Sequence, residues 1–304
     1  MRFFFPDTPP LPLPAGHRFP AAKYQRLVKK VRAEKLLGTA SLEPSPLITS
    51  TALHAVHDAL YINNVLTGNL EEEAQKRIGV PWSPVLKDRS LATVGGTTAA
   101  AFAALETGLS GQLAGGTHHA HYNFGSGFCV FNDVAVAITQ IRQHRPESRC
   151  AVLDLDVHQG DGNASLLAGD KDRQTFVTSV HGEKNYPFEK VASDLDIGLA
   201  DATRDGAYLD AVEEAIDAIS AFNPDLLFYI SGVDPLKEDR LGRLHVSMDG
   251  LRKRDARVLA WAKTNGVPCV ILIGGGYSEP IELTVRAYAQ TFEVAQSIHR
   301  WSAG

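Results

Sequence analysis

The chain uses one device repeatedly: an apolar, β-branched run that stops in a polar side chain beside glycine. Val152-Leu153-Asp154-Leu155-Asp156-Val157-His158 runs into Gly160-Asp161-Gly162. Leu226-Leu227-Phe228-Tyr229-Ile230-Ser231-Gly232-Val233 ends in Asp234, and Val270 to Ile273 ends in Gly274-Gly275-Gly276-Tyr277. Such runs read as buried strands, expected at 151–156, 175–181, 225–231 and 268–273. Helical spacing fills the intervals: Tyr24, Leu27, Val28 and Val31 within 20–35, and Val134, Ala137, Ile138 and Ile141 behind an Asn132 or Asp133 cap. Leu209, Val212, Ile216 and Ile219 give a third helix, and Leu251, Val258, Leu259 and Ala262 a fourth, stopped near Gly266. Strands separated by helices of this length imply an α/β fold, with a central, mostly parallel β-sheet and helices on both faces. In open parallel sheets ligands bind beyond the carboxyl ends of the strands, where this chain keeps its reactive groups.

Composition narrows the rest. The 304 residues, 44% of them apolar, suit a single domain spanning 1–304, with no linker or internal repeat. No apolar stretch approaches bilayer length, and Met1 to Pro14 is proline-rich without a basic leader, so a cytoplasmic protein is expected, without membrane attachment. Cys129, Cys150 and Cys269 cannot all pair and lack close metal spacing, which predicts reduced thiols. A net charge of −5 argues against a nucleic-acid partner. The cations from Lys23 to Lys30 are expected on a solvated helix face, with a local basic patch as the alternative, and 79–84 as a surface loop lining a site entrance.

The segment Gly115-Gly116-Thr117-His118-His119-Ala120 carries the chemistry. Adjacent imidazoles suit a reaction that takes a proton and later returns it, because histidine titrates near neutral pH. On an extended chain Asp156 and His158 point to the same side, with Asp154 in phase. Taken singly, these residues have plain structural readings: an aspartate caps a turn, Phe128 and Phe188 fill a core, Tyr277 follows a glycine turn. Jointly the structural reading is much weaker.

Four motifs in order resemble the histone deacetylase superfamily: Gly115 to Asp133, Asp154 to Gly162, Gly232 to Asp234, and Gly274 to Tyr277. The opening, Gly16-His17-Arg18-Phe19-Pro20 through Lys23-Tyr24 to Leu36-Leu37, is similar to class IV members and their bacterial relatives. The resemblance implies the arginase/deacetylase architecture and a metal-dependent amide hydrolase that removes acetyl or longer acyl groups from lysine side chains. It makes Asp156, His158 and Asp234 the ligands of one zinc ion; Asp and His suit iron(II) as well. His119 matches the proton carrier and His118 its neighbour, with Asp161 and Asp154 as their carboxylate partners; Tyr277 matches the donor to the oxyanion. Gly127 and Phe128 match one wall of a narrow tunnel. Tyr186 or Phe188 supplies the other, the sequence leaving open which, and Gly275 and Leu241 match further substrate-binding positions. A potassium ion is implied at Asp154, Asp156, His158, Ser179 and Val180. Cys129 is expected to be an inert thiol.

Two relatives on this architecture are distinguishable. Arginase-like enzymes need further acids where this chain has Gly160 and Leu236, so a second metal lacks ligands. Polyamine deacetylases place an acidic gatekeeper where this chain has Leu241, although Glu238 and Asp239 lie within a small loop shift. The expected partners are therefore an acyl-lysine protein or peptide, or a small acylated amine. From another class, a degenerate, non-catalytic binder of acylated tails would have lost a ligand or the tyrosine, and neither is lost.

Overall fold

The computed structural model describes residues 1–169 and 174–299. Its strands are β1 (Arg2–Phe5), β2 (Ser41–Pro44), β3 (Leu109–Gln112), β4 (Cys150–Asp154), β5 (Thr175–Gly182), β6 (Leu195–Leu199), β7 (Leu226–Ile230) and β8 (Cys269–Leu272). They form one sheet in the order β2-β1-β3-β8-β7-β4-β5-β6, and every pairing is parallel. The helices are α1 (Ala22–Ala33), α2 (Ser50–Leu53), α3 (Ala59–Thr67), α4 (Glu72–Ile78), α5 (Pro84–Thr107), α6 (Asp133–His144), α7 (Asp161–Leu167), α8 (Asp205–Phe222), α9 (Met248–Thr264) and α10 (Ile281–His299).

Alternation along the strands feeds two cores. Val152, Phe228, Val270 and Leu272 pack with α5 and α6. Leu153, Leu227, Tyr229 and Ile271 face the other way, onto α1, α8, α9 and α10. Asn132 caps α6 by accepting the Ala135 N–H, which settles that cap. No helix among the described residues is long and apolar enough to cross a membrane. All three cysteines are buried and free.

Register decides where the site lies. Gln112, Leu272, Ile230 and Asp154 stand level across the neighbours β3, β8, β7 and β4. The segments that follow them therefore leave the sheet side by side at its carboxyl edge. Sequence separation is thereby erased: Asp156 and Asp234 meet because their strands are hydrogen-bonded neighbours.

Three expectations need correction. β4 stops at Asp154, so Asp156 and His158 are not on an extended strand. A local turn brings them together, with the His158 N–H donating to Asp156 Oδ1 at 2.9 Å. Lys23 is not solvated but 1% exposed. In the 79–84 loop, Ser83 caps α5 and Pro84 already opens it.

Candidate active site

Asp156, His158 and Asp234 are buried, and one potential ligand atom from each lies within 4.8 Å of the others. His158 Nδ1 is 2.9 Å from Asp156 Oδ1 and 3.1 Å from Asp234 Oδ2. The second carboxylate oxygens are anchored: Asp156 Oδ2 accepts the Gly275 N–H at 2.5 Å, and Asp234 Oδ1 accepts the Val157 N–H at 2.8 Å. Burial and the neighbouring Asp156 push Asp234 up to about 7. Two buried carboxylates in conflict, with an imidazole between them, form a donor set that one dication relieves. Among the described residues no other group of three such side chains could hold an ion. A Cβ on Gly160 would fall 2.3 Å from Asp154 Oδ2, and Leu236 is buried in the core, so neither place accommodates a further acid.

The paired histidines follow β3 on a turn shaped by Asp133. Its carboxylate accepts the N–H groups of Gly116 and Thr117 and the hydroxyls of Thr97 and Thr117. The two rings lie 4.0 Å apart between centroids. His118 Nδ1 meets Asp154 Oδ2 at 2.7 Å, and His119 Nδ1 meets Asp161 Oδ1 at 2.6 Å, the pairing the resemblance implies. Burial opposes charge on His118, but Asp154 and Asp156 outweigh it and hold the ring up at about 9. Burial, then the neighbouring His118, holds His119 down at about 4 and therefore neutral. Nδ1 of His119 being engaged, Nε2 is the nitrogen left to the cavity.

Tyr277 closes the set on the loop after β8. Its N–H donates to Asp239 Oδ2 at 2.6 Å, and its ring centroid is 6.1 Å from that of His158. Burial raises the phenol well above its ordinary range, so it keeps its proton. Gly275 is forced by space, since a Cβ there would lie 2.1 Å from Asp234 Oδ2.

The structure separates the two aromatics that the sequence left open. Tyr186 lies beside His119, ring centroids 5.0 Å apart, and its hydroxyl meets Ser126 Oγ at 2.7 Å. Phe188 sits outside it on the rim, 86% exposed. Phe128 holds φ +68°, an uncommon conformation for a bulky residue, and packs on Phe19 and Tyr277. Phe188 is therefore not core, while Phe128, half-buried, packs on the edge of the core around Phe19. At Gly127 a Cβ would meet the His119 ring at 2.4 Å. Leu241 lines the opening, whereas Asp239 is turned inward, accepting the N–H groups of Leu241, Gly242 and Tyr277. The feared loop shift does not occur: Asp239 fastens the Tyr277 loop, and Glu238 does not line the opening. Ser179 stands opposite Asp154 in the β4–β5 register with Val180 next to it, both buried. Burial pushes the Cys129 thiol well up, in keeping with an inert group.

Several supporting residues escaped sequence reasoning. Lys23 donates to Gly276 O and the Tyr288 hydroxyl, and Tyr288 donates to the carbonyls of Gly274 and Gly275. Arg254, fully buried, donates to Gly232 O and Ser231 O just ahead of Asp234. His57 bridges the His121 carbonyl and the Asn132 N–H. A third histidine, His121, shares Asp161. The only signal for these in the chain is a charged residue within an apolar periodicity, as at Arg254 and Lys23.

Comparison with known proteins identifies the chain's family and fold. The histone deacetylase domain family matches residues 17–294. An uncharacterized protein of Picosynechococcus sp. is 39% identical over 95% of this chain and 96% of its own. Histone deacetylase 2 of Arabidopsis thaliana is 30% identical, covering 91% of this chain and 73% of its own. Among solved structures, acetylpolyamine aminohydrolase from Burkholderia pseudomallei superposes with a TM-score of 0.79 at 20% identity, covering 98% of this chain and 99% of that one. A deacetylase homologue from Aquifex aeolicus gives 0.79 at 24% identity, covering 97% and 83%. At such identities the two structures speak for the shared arginase/deacetylase fold alone. With the family model matching nearly its whole length, the chain belongs to the histone deacetylase family.

Proposed function

We propose that the protein is a zinc-dependent deacylase, a single catalytic domain over 1–304 of class IV type, that hydrolyses the amide of acyl-lysine side chains. The observation that carries this reading is the convergence of the buried Asp156–His158–Asp234 set with a neutral His119 and a protonated Tyr277 around one cavity. A dication held by Asp156, His158 and Asp234 would supply Lewis-acid polarisation of the amide carbonyl and activation of water, with iron(II) able to replace zinc.

The chain's own residues account for the proton traffic and the charge. His119 gives its Nδ1 proton to the hydrogen bond with Asp161, so Nε2 is free to accept a proton from the attacking water and return it to the departing amine. Asp161 keeps the ring in that tautomer. His118, held positive by Asp154 and Asp156, lies ring to ring with His119 at 4.0 Å and adds positive charge beside the site where the oxyanion develops. Tyr277 donates its phenol hydrogen to the oxyanion. Phe128 and Tyr186 flank the extended lysine stem, Gly127 and Gly275 keep space beside the reacting groups, and Leu241 and Phe188 border the opening. A potassium ion at Asp154, Asp156, His158, Ser179 and Val180 belongs to the same reading.

Polyamine hydrolysis is less well supported, because the gatekeeper place holds Leu241 and Asp239 is engaged inward. A non-catalytic binder would not need a complete set of partnered histidines and a protonated tyrosine. The test is turnover of lysine peptides acylated from acetyl to myristoyl, with defined metals. His119→Ala and Tyr277→Phe should each lower kcat by roughly 10²- to 10⁴-fold while the protein stays folded by circular dichroism. Near-normal turnover in either variant would refute the assigned roles.

A further inference from the structure

The opening of the active-site cavity, about 500 Å³ in volume, is bordered by four cations and, among the described residues, by no aspartate or glutamate. They come from four separate segments: Arg18 ahead of α1, Arg77 near the end of α4, Lys184 after β5 and Arg243 after β7. All four are exposed. Arg243 is paired with Asp201 at 3.2 Å, whereas no ion pair among the described residues engages Arg18, Arg77 or Lys184. Elsewhere on the surface Arg2, Arg26, Lys30, Lys76, Arg252 and Lys253 each meet a carboxylate, while Lys29, Lys35 and Lys237 are exposed without an ion pair among the described residues. What sets the opening apart is its lining: in a chain of net charge −5, four cations border it and no carboxylate among the described residues does.

We propose that this collar selects acyl-lysines set among acidic residues, and disfavours the polybasic tails and polyamines that carry cations next to the amide. The inference rests on the acyl-lysine reading above and adds the sequence context of its substrate. A peptide whose acyl-lysine enters the cavity must lay its neighbouring residues across the rim, where Arg18, Arg77 and Lys184 have charge to satisfy. Charge of one sign around a cleft also raises the local concentration of oppositely charged ligands. Leu241 fits this role, since an acid there would neutralise the collar from within. Each exposed pair changes affinity by roughly 1.5- to 5-fold at low salt, so two or three acting together give between roughly 2- and 100-fold. The discrimination weakens as salt shortens the reach of the charges.

The experiment uses the full chain and fluorescent peptides of one length that carry a central acyl-lysine flanked by glutamate, serine or lysine. Binding is read by anisotropy at 50 and 500 mM NaCl, and kcat/KM is measured on the same peptides. The acidic peptide should bind about 10-fold or more tighter than the lysine-flanked one at low salt, converging to within a few-fold at high salt. Combining Arg18→Glu, Arg77→Glu and Lys184→Glu should reverse the order, and Lys184→Glu alone should narrow it. Equal binding, or preference for the lysine-flanked peptide, overturns the collar. So does equally tight binding of the acidic peptide with an unacylated lysine, which marks general anion attraction without selection. Failure to hydrolyse even the serine-flanked peptide counts against the deacylase reading instead, and leaves the anisotropy result to judge the collar separately.

Discussion

At the floor of the cavity Asp154, Asp156, Asp161 and Asp234 are all tied to an imidazole, a backbone N–H or both, and behind them Lys23, Tyr288 and Arg254 hold the loop carbonyls. At the rim Phe188 is 86% exposed and, among the described residues, no carboxylate pairs with Arg18, Arg77 or Lys184. The floor is set by four adjacent strand ends in fixed register, whereas the rim is assembled from loops that the sheet does not align. Reaction type therefore belongs to the sheet, and substrate choice to loops that can change without disturbing it.

The sharpest way to break this contrast is at the floor. Gly127→Ala drives a Cβ into the His119 ring, and at φ +53° the site already disfavours a side chain. A displaced base should lower kcat by about 10²-fold while KM moves little, as kinetics on one acyl-lysine peptide would show. A variant with normal kcat would mean that the position of His119 is not constrained by its neighbours. Asp239→Ala is expected to act less strongly. It strips the acceptor from three N–H groups, lowering stability by about 1–3 kcal/mol in a urea titration and reducing kcat through a loosened Tyr277. Loss of stability with kcat intact would make Asp239 a structural group only.

His57 sharpens the comparison through pH. It uses both ring nitrogens as a neutral imidazole, and burial lowers it from 6.5 to about 4. Between those values the unfolded chain binds the additional proton, so this contribution is full above pH 6.5 and lost as pH falls toward 4, on the order of 3 kcal/mol. The stability gap between wild type and His57→Gln should accordingly be wide at pH 7 and shrink by pH 4.5. A gap that stays constant would show that ring neutrality is not what His57 contributes. The smallest effect belongs to the rim: Phe188→Ala should raise KM a few-fold and leave stability within about 0.5 kcal/mol. A large loss of stability there would contradict the rim's independence from the fold.

The same contrast explains what could be read from the chain. The strands that end in Asp154, Asp234 and Tyr277 announce themselves because a parallel strand buried on both faces is a continuous apolar run. His118 and His119 stand out as an adjacent pair. α5 does not, since Gly95, Gly96, Ala100, Ala101, Ala103 and Ala104 are all buried and no polar face supplies a period. β2, β3 and β6 (Ser-Leu-Glu-Pro, Leu-Ser-Gly-Gln and Leu-Asp-Ile-Gly-Leu) are interrupted by polar residues or glycine and offer no continuous apolar run. The turn that joins Asp156 to His158 was invisible because an extended strand gives the same side-chain direction. Lys23 and His57 were hidden for a different reason: their partners, Gly276 and Tyr288, and His121 and Asn132, lie far along the chain. Which of Tyr186 and Phe188 faces His119 depended on a loop that no spacing rule describes.

The central claim is that three side chains from two strand ends grip a single divalent ion, and metal stoichiometry tests it most directly. Purified protein dialysed against trace zinc and analysed by native mass spectrometry should carry one ion per chain. Asp234→Ala and His158→Ala should each lose it while keeping the fold seen by circular dichroism. Wild-type protein that takes up no ion, or variants that retain it with equal affinity, would contradict the account.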